Sequence, residues 1–255
     1  MNQSNENIGN GSEEIFRLTI DERAYSVSHR GGRSDNEDAA LILKKDSGYI
    51  LAIADGLGGH TSGEIASKLA IDVLKQNFLM RYTSIATVDD IRQFLEDGYR
   101  QAHNKIQMYA IGDNRGMGTT LVTACIHNSK VIIANSGDSR AYIIRDDIKL
   151  KTKDHSIVQR LVNEGTISTM DAKNHPLKNM VTSALGIKYM VDFYIYNLQK
   201  GDNILLASDG FYDFIDERRM IDIIKIKPAK DAIDTLFTEA LLRTTDNVSI
   251  VLFHV

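Results

Sequence analysis

The chain has 255 residues, 43% hydrophobic and 25% charged, which is ordinary globular usage and excludes a wholly disordered, collagen-like or coiled-coil chain. Lys and Arg number 30 against 34 Asp and Glu, so no basic surplus is present to neutralise nucleic-acid phosphates and no nucleic-acid partner is expected. The single cysteine, Cys125, excludes an internal disulfide and indicates a reducing compartment, so we expect a cytoplasmic protein.

Residues 1–14 form a polar N-terminal segment rich in Asn, Ser, Gly and Glu. The segment lacks a basic start followed by an apolar run, so it predicts a disordered tail and no secretory signal. No stretch of the chain approaches the roughly 18 apolar residues of a membrane span, so no membrane association is expected. Composition is even from residue 15 onward and no linker or repeat interrupts it, which predicts one domain over 15–255.

Short alternating or β-branched apolar runs predict a series of strands. The predicted strands cover 15–20, 39–44, 49–54, 119–126, 131–135, 141–144, 190–197, 203–207 and 248–255. Apolar residues at helical spacing predict amphipathic helices within 65–78, 91–106 and 233–241. Because the strands come in consecutive groups instead of alternating with helices, we predict an α+β fold of largely antiparallel sheets with helices on their outer faces.

The segment 156–179 interrupts this pattern. It has a short apolar helical fragment, the helix breaker Gly165 and the dipeptide His175-Pro176. A surface excursion of this length is commonly a binding or lid element, and a tolerated insertion without a role is the alternative.

Four aspartates lie just past apolar strands or next to turn residues: Asp55, Asp138, Asp209 and Asp246. A carboxylate at the end of a buried run is destabilising unless a partner offsets its charge. A divalent cation such as Mg²⁺ or Mn²⁺, which prefers oxygen ligands, is the usual partner of several converging carboxylates. The glycine after Asp55, Gly56, allows a close backbone approach, so its carbonyl is a further candidate ligand. For any single position, a plain turn dipeptide is the alternative.

Other phosphate-handling and nucleophilic motifs are missing from the sequence. The loop GLGGHTSG at 56–63 has Thr61 where a dinucleotide-binding fingerprint needs glycine, and no P-loop lysine follows it. Ser62 is expected to cap the helix that follows. Cys125 lies in mid-strand with no arginine-bearing loop after it, and neither a serine-nucleophile elbow nor zinc-ligand histidine spacing occurs.

A metal-activated water is therefore the expected nucleophile. Asp55 is the candidate for a carboxylate that bridges two ions. Arg33, beside the acidic turn 34–38, is a candidate clamp for an anionic phosphate through bidentate hydrogen bonds, with a solvated surface arginine as the alternative.

Seven short segments occur in a fixed order along the chain. They are RSDNED (33–38), ADGLGGH (54–60), GMGTTL (116–121), NSGDSRAY (135–142), DHS (154–156), LASDG (206–210) and DNVS (246–249). In this order the chain resembles, over 28–255, the PP2C (PPM) family of metal-dependent protein serine/threonine phosphatases, and most of all its bacterial branch. The resemblance implies a central β-sandwich of two antiparallel sheets flanked by helices, with 156–179 as the flap of the family. It also implies hydrolysis of phosphoserine and phosphothreonine in proteins, reversing a serine/threonine kinase.

The resemblance further implies a centre of two Mn²⁺ or Mg²⁺ ions at one end of the sandwich. Asp55 would bridge the ions, the Gly56 carbonyl would complete one of them, and Asp209 and Asp246 would ligate the other. The expected partners are phosphorylated proteins, and the enzyme is expected to be a monomer.

Further roles follow from the same motifs. Glu37 and Asp38 would hold metal-bound waters, which makes Asp38 a catalytic residue, and Arg33 would be the catalytic residue that binds the substrate phosphate. Bacterial members also bind a third, weaker metal, and the matching positions are Asp138, Asp209 and Asp213.

Two positions depart from the family pattern. Leu57 stands where animal enzymes have a histidine proposed as general acid, and Ser183 stands where an arginine is usual. Two alternatives to a general protein phosphatase stay open at this point. One is a phosphoprotein-binding module without turnover, and the other is a regulator phosphatase dedicated to a single anti-sigma-type partner.

Overall fold

The structure is a computed structural model and describes residues 4–8, 15–58 and 61–255. The strands in these ranges are β1 (Ser4–Ile8), β2 (Ile15–Ile20), β3 (Ala24–His29), β4 (Asp38–Lys45), β5 (Gly48–Leu57), β6 (Gly118–Thr119), β7 (Leu121–His127), β8 (Lys130–Ser136), β9 (Arg140–Ile144), β10 (Ile148–Lys151), β11 (Asp192–Asn197), β12 (Asn203–Ala207) and β13 (Val248–His254). The α-helices are α1 (Thr61–Arg81), α2 (Val88–Tyr109), α3 (Ile157–Asn163), α4 (Thr169–Lys173), α5 (Asp209–Tyr212), α6 (Glu217–Ile226) and α7 (Ala229–Leu241).

The strands form two sheets in which every pairing is antiparallel. The first sheet has the order β1-β2-β3-β13-β12-β9-β10, and the second has the order β11-β8-β7-β5-β4, with β6 paired to β5. The predicted α+β class with two antiparallel sheets is confirmed.

Three apolar clusters hold the layers together. Between the sheets, fully buried side chains of both inner faces meet, such as Leu51 and Ile53 from the second sheet and Leu206 and Val251 from the first. Helices α1 and α2 cover the outer face of the second sheet, and α6 and α7 cover that of the first. Each such side chain contributes about 1.5–3 kcal/mol to the stability of the fold when it is fully buried. The packed layers therefore support the loops at both ends of the sandwich.

Most of the predicted elements are present, and a few were missed. The strand β3 and the helix α6 were not predicted, although Met220, Ile223 and Ile224 give α6 a buried face at helical spacing. Ser4–Ile8 pairs with β2 where a disordered tail was predicted for 1–14, because the outer edge of β2 offers unpaired backbone groups to a further strand. The rest of that tail lies outside the described residues.

The predicted capping role of Ser62 is wrong. Helix α1 begins at Thr61, so Ser62 lies inside the first turn. Its hydroxyl donates to Asn114 Oδ1 at 3.1 Å and ties the helix to the short 3₁₀ turn Gly112–Asn114.

The segment 156–179 contains α3 and α4. The Ser156 hydroxyl caps α3 by accepting from the Gln159 amide, and Ser168 and Asp171 form a capping box at α4. A β-bridge between Ser156 and Val181 closes the base of the excursion. None of the helices in the described ranges combines the length and the apolar content that a membrane crossing requires.

Candidate active site

A cavity of about 410 Å³ opens at one end of the sandwich. Strands β5, β8 and β12 end at this cavity and β4 and β13 begin there, since neighbouring strands of each sheet are antiparallel. The structure brings most of the predicted site residues together in its lining. Those residues are Arg33, Glu37, Asp55, Gly56, Asp138, Asp209 and Asp246.

Asp38 and Asp55 lie directly opposite each other across the β4–β5 pair. Asp38 is 7% exposed, and its Oδ2 accepts a hydrogen bond from the Ser208 hydroxyl at 2.8 Å. Its Oδ1 is buried and makes no hydrogen bond to a described residue. One carboxylate oxygen therefore fixes the side chain and the other remains available to a ligand.

The main chain of Asp55 is fixed by two neighbouring threonines. The Asp55 amide donates to the Thr120 hydroxyl at 3.0 Å, and its carbonyl accepts from the Thr119 hydroxyl at 2.9 Å. The segment 116–121 therefore positions the carboxylate instead of supplying ligands.

The glycines that follow Asp55 and Asp209 are required by close backbone approach. A Cβ atom on Gly56 would lie 2.3 Å from the Gly63 carbonyl oxygen, and one on Gly210 would lie 2.0 Å from the Asn247 carbonyl oxygen. Any larger residue would push the carboxylate-bearing backbone away from its neighbours. Gly56 therefore lies close to the Gly63 backbone, whereas the role of its carbonyl as a ligand stays a prediction.

The Asn247 side chain holds the loop that carries Arg33 and Glu37 in place through hydrogen bonds. Its Oδ1 accepts from the Glu37 amide at 2.8 Å, and its Nδ2 donates to the carbonyls of Arg30 at 2.9 Å and Asp35 at 2.8 Å. The segment 246–249 was noted in the sequence for Asp246 alone. The polar neighbour of a predicted ligand was the signal that could have identified this role.

Arg33 forms an ion pair with Asp246, with 2.8 Å between Nη2 and Oδ2. The Arg33 side chain is 59% exposed and lines the cavity. The carboxylate that the resemblance assigns to a metal therefore already has a positive partner within the site.

Burial raises the pKa values of four carboxyl groups at this end of the sandwich. It raises the pKa of Asp38 to about 7, with a further contribution from the charges of Asp209 and Asp246 and an opposite one from nearby serine hydroxyls. Burial and Asp209 raise the pKa of Asp138 to about 8, and burial and Asp246 raise that of Asp209 to about 6. Burial and the surrounding carboxylates raise the pKa of Asp55 well above its usual range.

When these carboxyl groups are ionised, their negative charges repel one another, and a bound divalent cation would offset that repulsion. As they stand, no three His, Cys, Asp or Glu side chains among the described residues are close enough together to hold an ion. The carboxylates instead surround the cavity, and Asp38 Oδ1 is a buried oxygen without a partner in the described chain. An all-oxygen donor set of this kind fits Mg²⁺ or Mn²⁺.

A buried network that the sequence did not predict supports Asp138. Arg140 makes two hydrogen bonds to the Asp154 carboxylate, at 2.9 and 2.7 Å. The guanidinium lies 3.6 Å from the centre of the Tyr212 ring, and the Tyr212 hydroxyl donates to the Asp138 carbonyl at 3.1 Å. Arg140 and Asp154 both lie in motif segments, which was the available signal.

The remaining predicted positions differ in their relation to this cavity. Asp38 does not line it and instead lines a neighbouring cavity beside β2, β4 and α1. Asp213 is not part of the cavity lining and forms an ion pair with Lys178 of the segment 156–179. Leu57 lines the cavity. Ser183 is 2% exposed and its hydroxyl donates to the Lys188 carbonyl at 2.8 Å, so it faces the protein instead of the cavity.

Comparison with known proteins places this chain and its fold in a family. A family model described as protein phosphatase 2C matches residues 26–237. The chain therefore belongs to the protein phosphatase 2C family, in its bacterial type.

The similar proteins indicate which activity the chain has. The chain is 37% identical over 228 residues to the serine/threonine phosphatase stp of Listeria innocua, covering 86% of this chain and 90% of the relative. It is 34% identical over 212 residues to the protein phosphatase PhpP of Streptococcus pneumoniae, covering 80% and 85%. The crystal structure of the serine/threonine phosphatase Stp1 from Staphylococcus aureus superposes with a TM-score of 0.86 at 33% identity, covering 91% of this chain and 94% of that one. The protein is a serine/threonine protein phosphatase.

Proposed function

We propose that this phosphatase acts at the acidic cavity with two Mn²⁺ or Mg²⁺ ions and reverses the action of a serine/threonine kinase. The observation that carries the proposal is that one cavity is lined by Asp55, Asp138 and Asp209, whose pKa values are raised by burial and by one another, with the Asp38 carboxyl group opposite Asp55 in the β4–β5 pair. Such a cluster of carboxyl groups destabilises the protein unless positive charge enters it. Mn²⁺ or Mg²⁺ supplies that charge through oxygen ligands.

Four groups would hold the two ions: the carboxylates of Asp55, Asp209 and Asp246 and the carbonyl of Gly56. When bound, the ions supply a water of lowered pKa as the nucleophile and positive charge against the phosphate. Asp55 is fixed through both of its backbone groups by Thr119 and Thr120, which suits a carboxylate that would help to hold the ions.

Asp38 and Glu37 would orient water in the cavity. Asp38 Oδ1 would be the acceptor for a proton of water, because Oδ2 already accepts from Ser208 and Oδ1 has no partner in the described chain. The Glu37 backbone is fixed by Asn247, so its carboxylate enters the cavity from a defined position. Protonation of the leaving serine or threonine oxygen would fall to water or to a residue other than Leu57, since Leu57 offers no proton.

Arg33 would bind the phosphate of the substrate. Its exposed guanidinium has two N–H edges that match phosphate oxygens. Because the guanidinium now contacts Asp246, substrate binding would exchange this carboxylate for phosphate and release Asp246.

A third, weaker metal would bind between Asp138, Asp209 and Asp213. The ion pair of Asp213 with Lys178 has to open for this, so the third site competes with an anchor of the segment 156–179. This segment is the proposed flap of a single phosphatase domain over 15–255.

The proposed setting is the cytoplasm, where a monomer acts on phosphorylated proteins and on neither nucleic acid nor membranes. The net charge of −4 and the single buried cysteine support this setting. Analytical ultracentrifugation tests the oligomeric state.

Calorimetric titration of the metal-free protein with Mn²⁺ tests the metal centre. We expect two tight sites and one weak site in the wild type. Asp209→Asn should lose tight binding, whereas Asp213→Asn should lose only the weak site. Equal Mn²⁺ binding by the wild type and Asp209→Asn would contradict the proposed ligands. The matched control is Asp146→Asn, because Asp146 is exposed and lies outside the cavity.

A further inference from the structure

The cavity of about 410 Å³ described above is called the catalytic cavity from here on. A second cavity, of about 820 Å³, lies beside it, between β2 and β3 of the first sheet on one side and β4 and α1 on the other. We call it the β2–α1 groove. Its volume falls within the roughly 300–1,000 Å³ that is usual for binding pockets. Its apolar lining consists of Phe16, Leu18, Ala39, Ala40 and Ile71.

The groove is continuous with the catalytic cavity. Ser34 and Asp35 line both of them, and Arg33 lies beside these two residues at the cavity mouth. A polypeptide whose phosphorylated residue sits at Arg33 therefore passes Asp35 as it enters the groove.

Small side chains create the depth of the groove. Strand β4 begins with Asp38, followed by Ala39 and Ala40. The start of this strand therefore fills little space with side chains. Phe16 is 48% exposed and stands at the opposite wall on β2. An exposed aromatic ring in a groove that small side chains also line is a surface that gains free energy when it buries an apolar side chain.

The charged groups that line the groove are acidic on balance: the carboxyl groups of Asp35, Asp38, Glu64 and Asp72 outnumber the cations of Arg30 and Lys68. Glu64, Lys68 and Asp72 lie on one face of α1 at helical spacing, and the first two neutralise each other in an ion pair. Asp72 is exposed and makes no ion pair with a described residue. At the other end, the Asp35 carboxylate accepts only a hydroxyl hydrogen bond, from Ser34, within the described chain.

We infer that the β2–α1 groove docks the substrate polypeptide next to its phosphorylated residue and selects an apolar side chain accompanied by a basic one. The apolar side chain fills the space under Phe16, and the basic one pairs with Asp72. This inference rests on the phosphatase function and on the substrate position at Arg33 proposed above.

Phosphothreonine peptides of alanine and serine test the inference in the full-length enzyme with Mn²⁺. A single leucine is moved stepwise along both flanks of the phosphothreonine, and a lysine is then placed next to the best leucine. For the wild type, we expect one flank position at which leucine raises kcat/KM by about tenfold, the size of effect that burial of one side chain supplies. Each value is divided by kcat/KM for p-nitrophenyl phosphate, which is too small to reach the groove.

Two variants separate the apolar and the charged contributions. Phe16→Ser should remove the gain from leucine. Asp72→Lys should remove the gain from lysine and transfer it to a glutamate at the same peptide position. The matched controls are Leu242→Ser, at a side chain that is 82% exposed, and Asp146→Lys, because neither residue lines the groove or the catalytic cavity.

The outcomes distinguish this inference from the proposed function. If the wild type hydrolyses all the peptides equally, or if both groove variants keep the wild-type preference, the groove has another occupant and the inference is overturned while the phosphatase activity stands. If the wild type releases no phosphate from any peptide or from the small ester, the proposed function itself fails. Asp72 is exposed on a helix surface, so Asp72→Lys keeps the test decisive even if Phe16→Ser lowers the folding yield.

Discussion

Arg33 and Asp246 form an ion pair at the mouth of the catalytic cavity, with 2.8 Å between the guanidinium and the carboxylate. Arg33 is the candidate phosphate ligand and Asp246 is a candidate metal ligand. The two residues neutralise each other in this structure. In the proposed mechanism substrate and metal would separate them, so this contact would couple the occupation of the metal centre to the availability of the arginine.

Substitution of Arg33 tests that coupling. Arg33→Ala should lower kcat/KM for a phosphothreonine peptide by roughly ten- to hundredfold, because a charge-assisted hydrogen bond to the phosphate is lost. Its affinity for Mn²⁺ should stay the same or rise, since Asp246 no longer has a competing cation. Steady-state kinetics and calorimetry measure the two effects, with the exposed Arg218→Ala as control. Weaker Mn²⁺ binding in Arg33→Ala would contradict the competition.

The raised pKa values of the cavity carboxyl groups predict how the stability of the metal-free protein depends on pH. Asp209, Asp38 and Asp138 have pKa values of about 6, 7 and 8 in the folded protein, above the value of about 4 of an unfolded chain. Between these limits the folded state binds more protons than the unfolded state, so the free energy of unfolding falls as the pH rises.

Thermal unfolding in the presence of chelator checks this dependence. We expect Tm to be lower at about pH 8.5 than at about pH 6. The free energy of unfolding should fall by an amount on the order of a few kcal/mol over this range. Asp38→Asn should flatten the profile because it removes one of the groups, and excess Mn²⁺ should raise Tm most at high pH. A Tm that rises from pH 6 to pH 8.5 without metal would be the opposite of the expected sign.

The ion pair between Arg140 and Asp154 should stabilise the fold strongly. These side chains are 22% and 9% exposed, so Asp154→Ala would leave a largely buried guanidinium without its carboxylate and is expected to destabilise the protein by about 3–5 kcal/mol. Glu239→Ala breaks the exposed pair with Arg219 and should leave Tm nearly unchanged. Equal shifts in Tm for the two variants would show that burial of the Arg140 pair adds nothing.

Asn247 is expected to position the cavity loop without binding metal. Asn247→Ala removes three hydrogen bonds to the segment 30–37, so kcat/KM for the peptide should fall by at least about tenfold. Mn²⁺ affinity should change much less than in Asp209→Asn. Calorimetry beside kinetics separates the two, and a parallel loss of tight Mn²⁺ binding would instead make Asn247 a ligand.

The sequence predicted the strands and the acidic positions because both leave local signals. Apolar runs mark β5 and β12, and an Asp-Gly pair follows each run, so the carboxylates were found without any knowledge of the sheet order. The strand β3 was missed because its Ala, Ser and His residues give weak alternation, although all six of its residues are buried.

The contacts that complete the site cross long distances in the chain, which local patterns do not encode. The register that sets Asp38 opposite Asp55 depends on the β4–β5 hairpin. The hydrogen bonds of Asn247 span more than 200 positions along the chain. The pairing of Asp213 with Lys178 joins the residue that follows α5 to the segment 156–179. These relationships required the folded structure.

The measurement that tests the account most directly is phosphate release from a phosphothreonine peptide with Mn²⁺, with Mg²⁺ and with chelator, run for the wild type beside Asp209→Asn. The account predicts release by the wild type that requires a divalent ion and that is lost in Asp209→Asn with the fold retained in thermal unfolding. Full activity in Asp209→Asn, or undiminished release by the wild type in chelator, would contradict it.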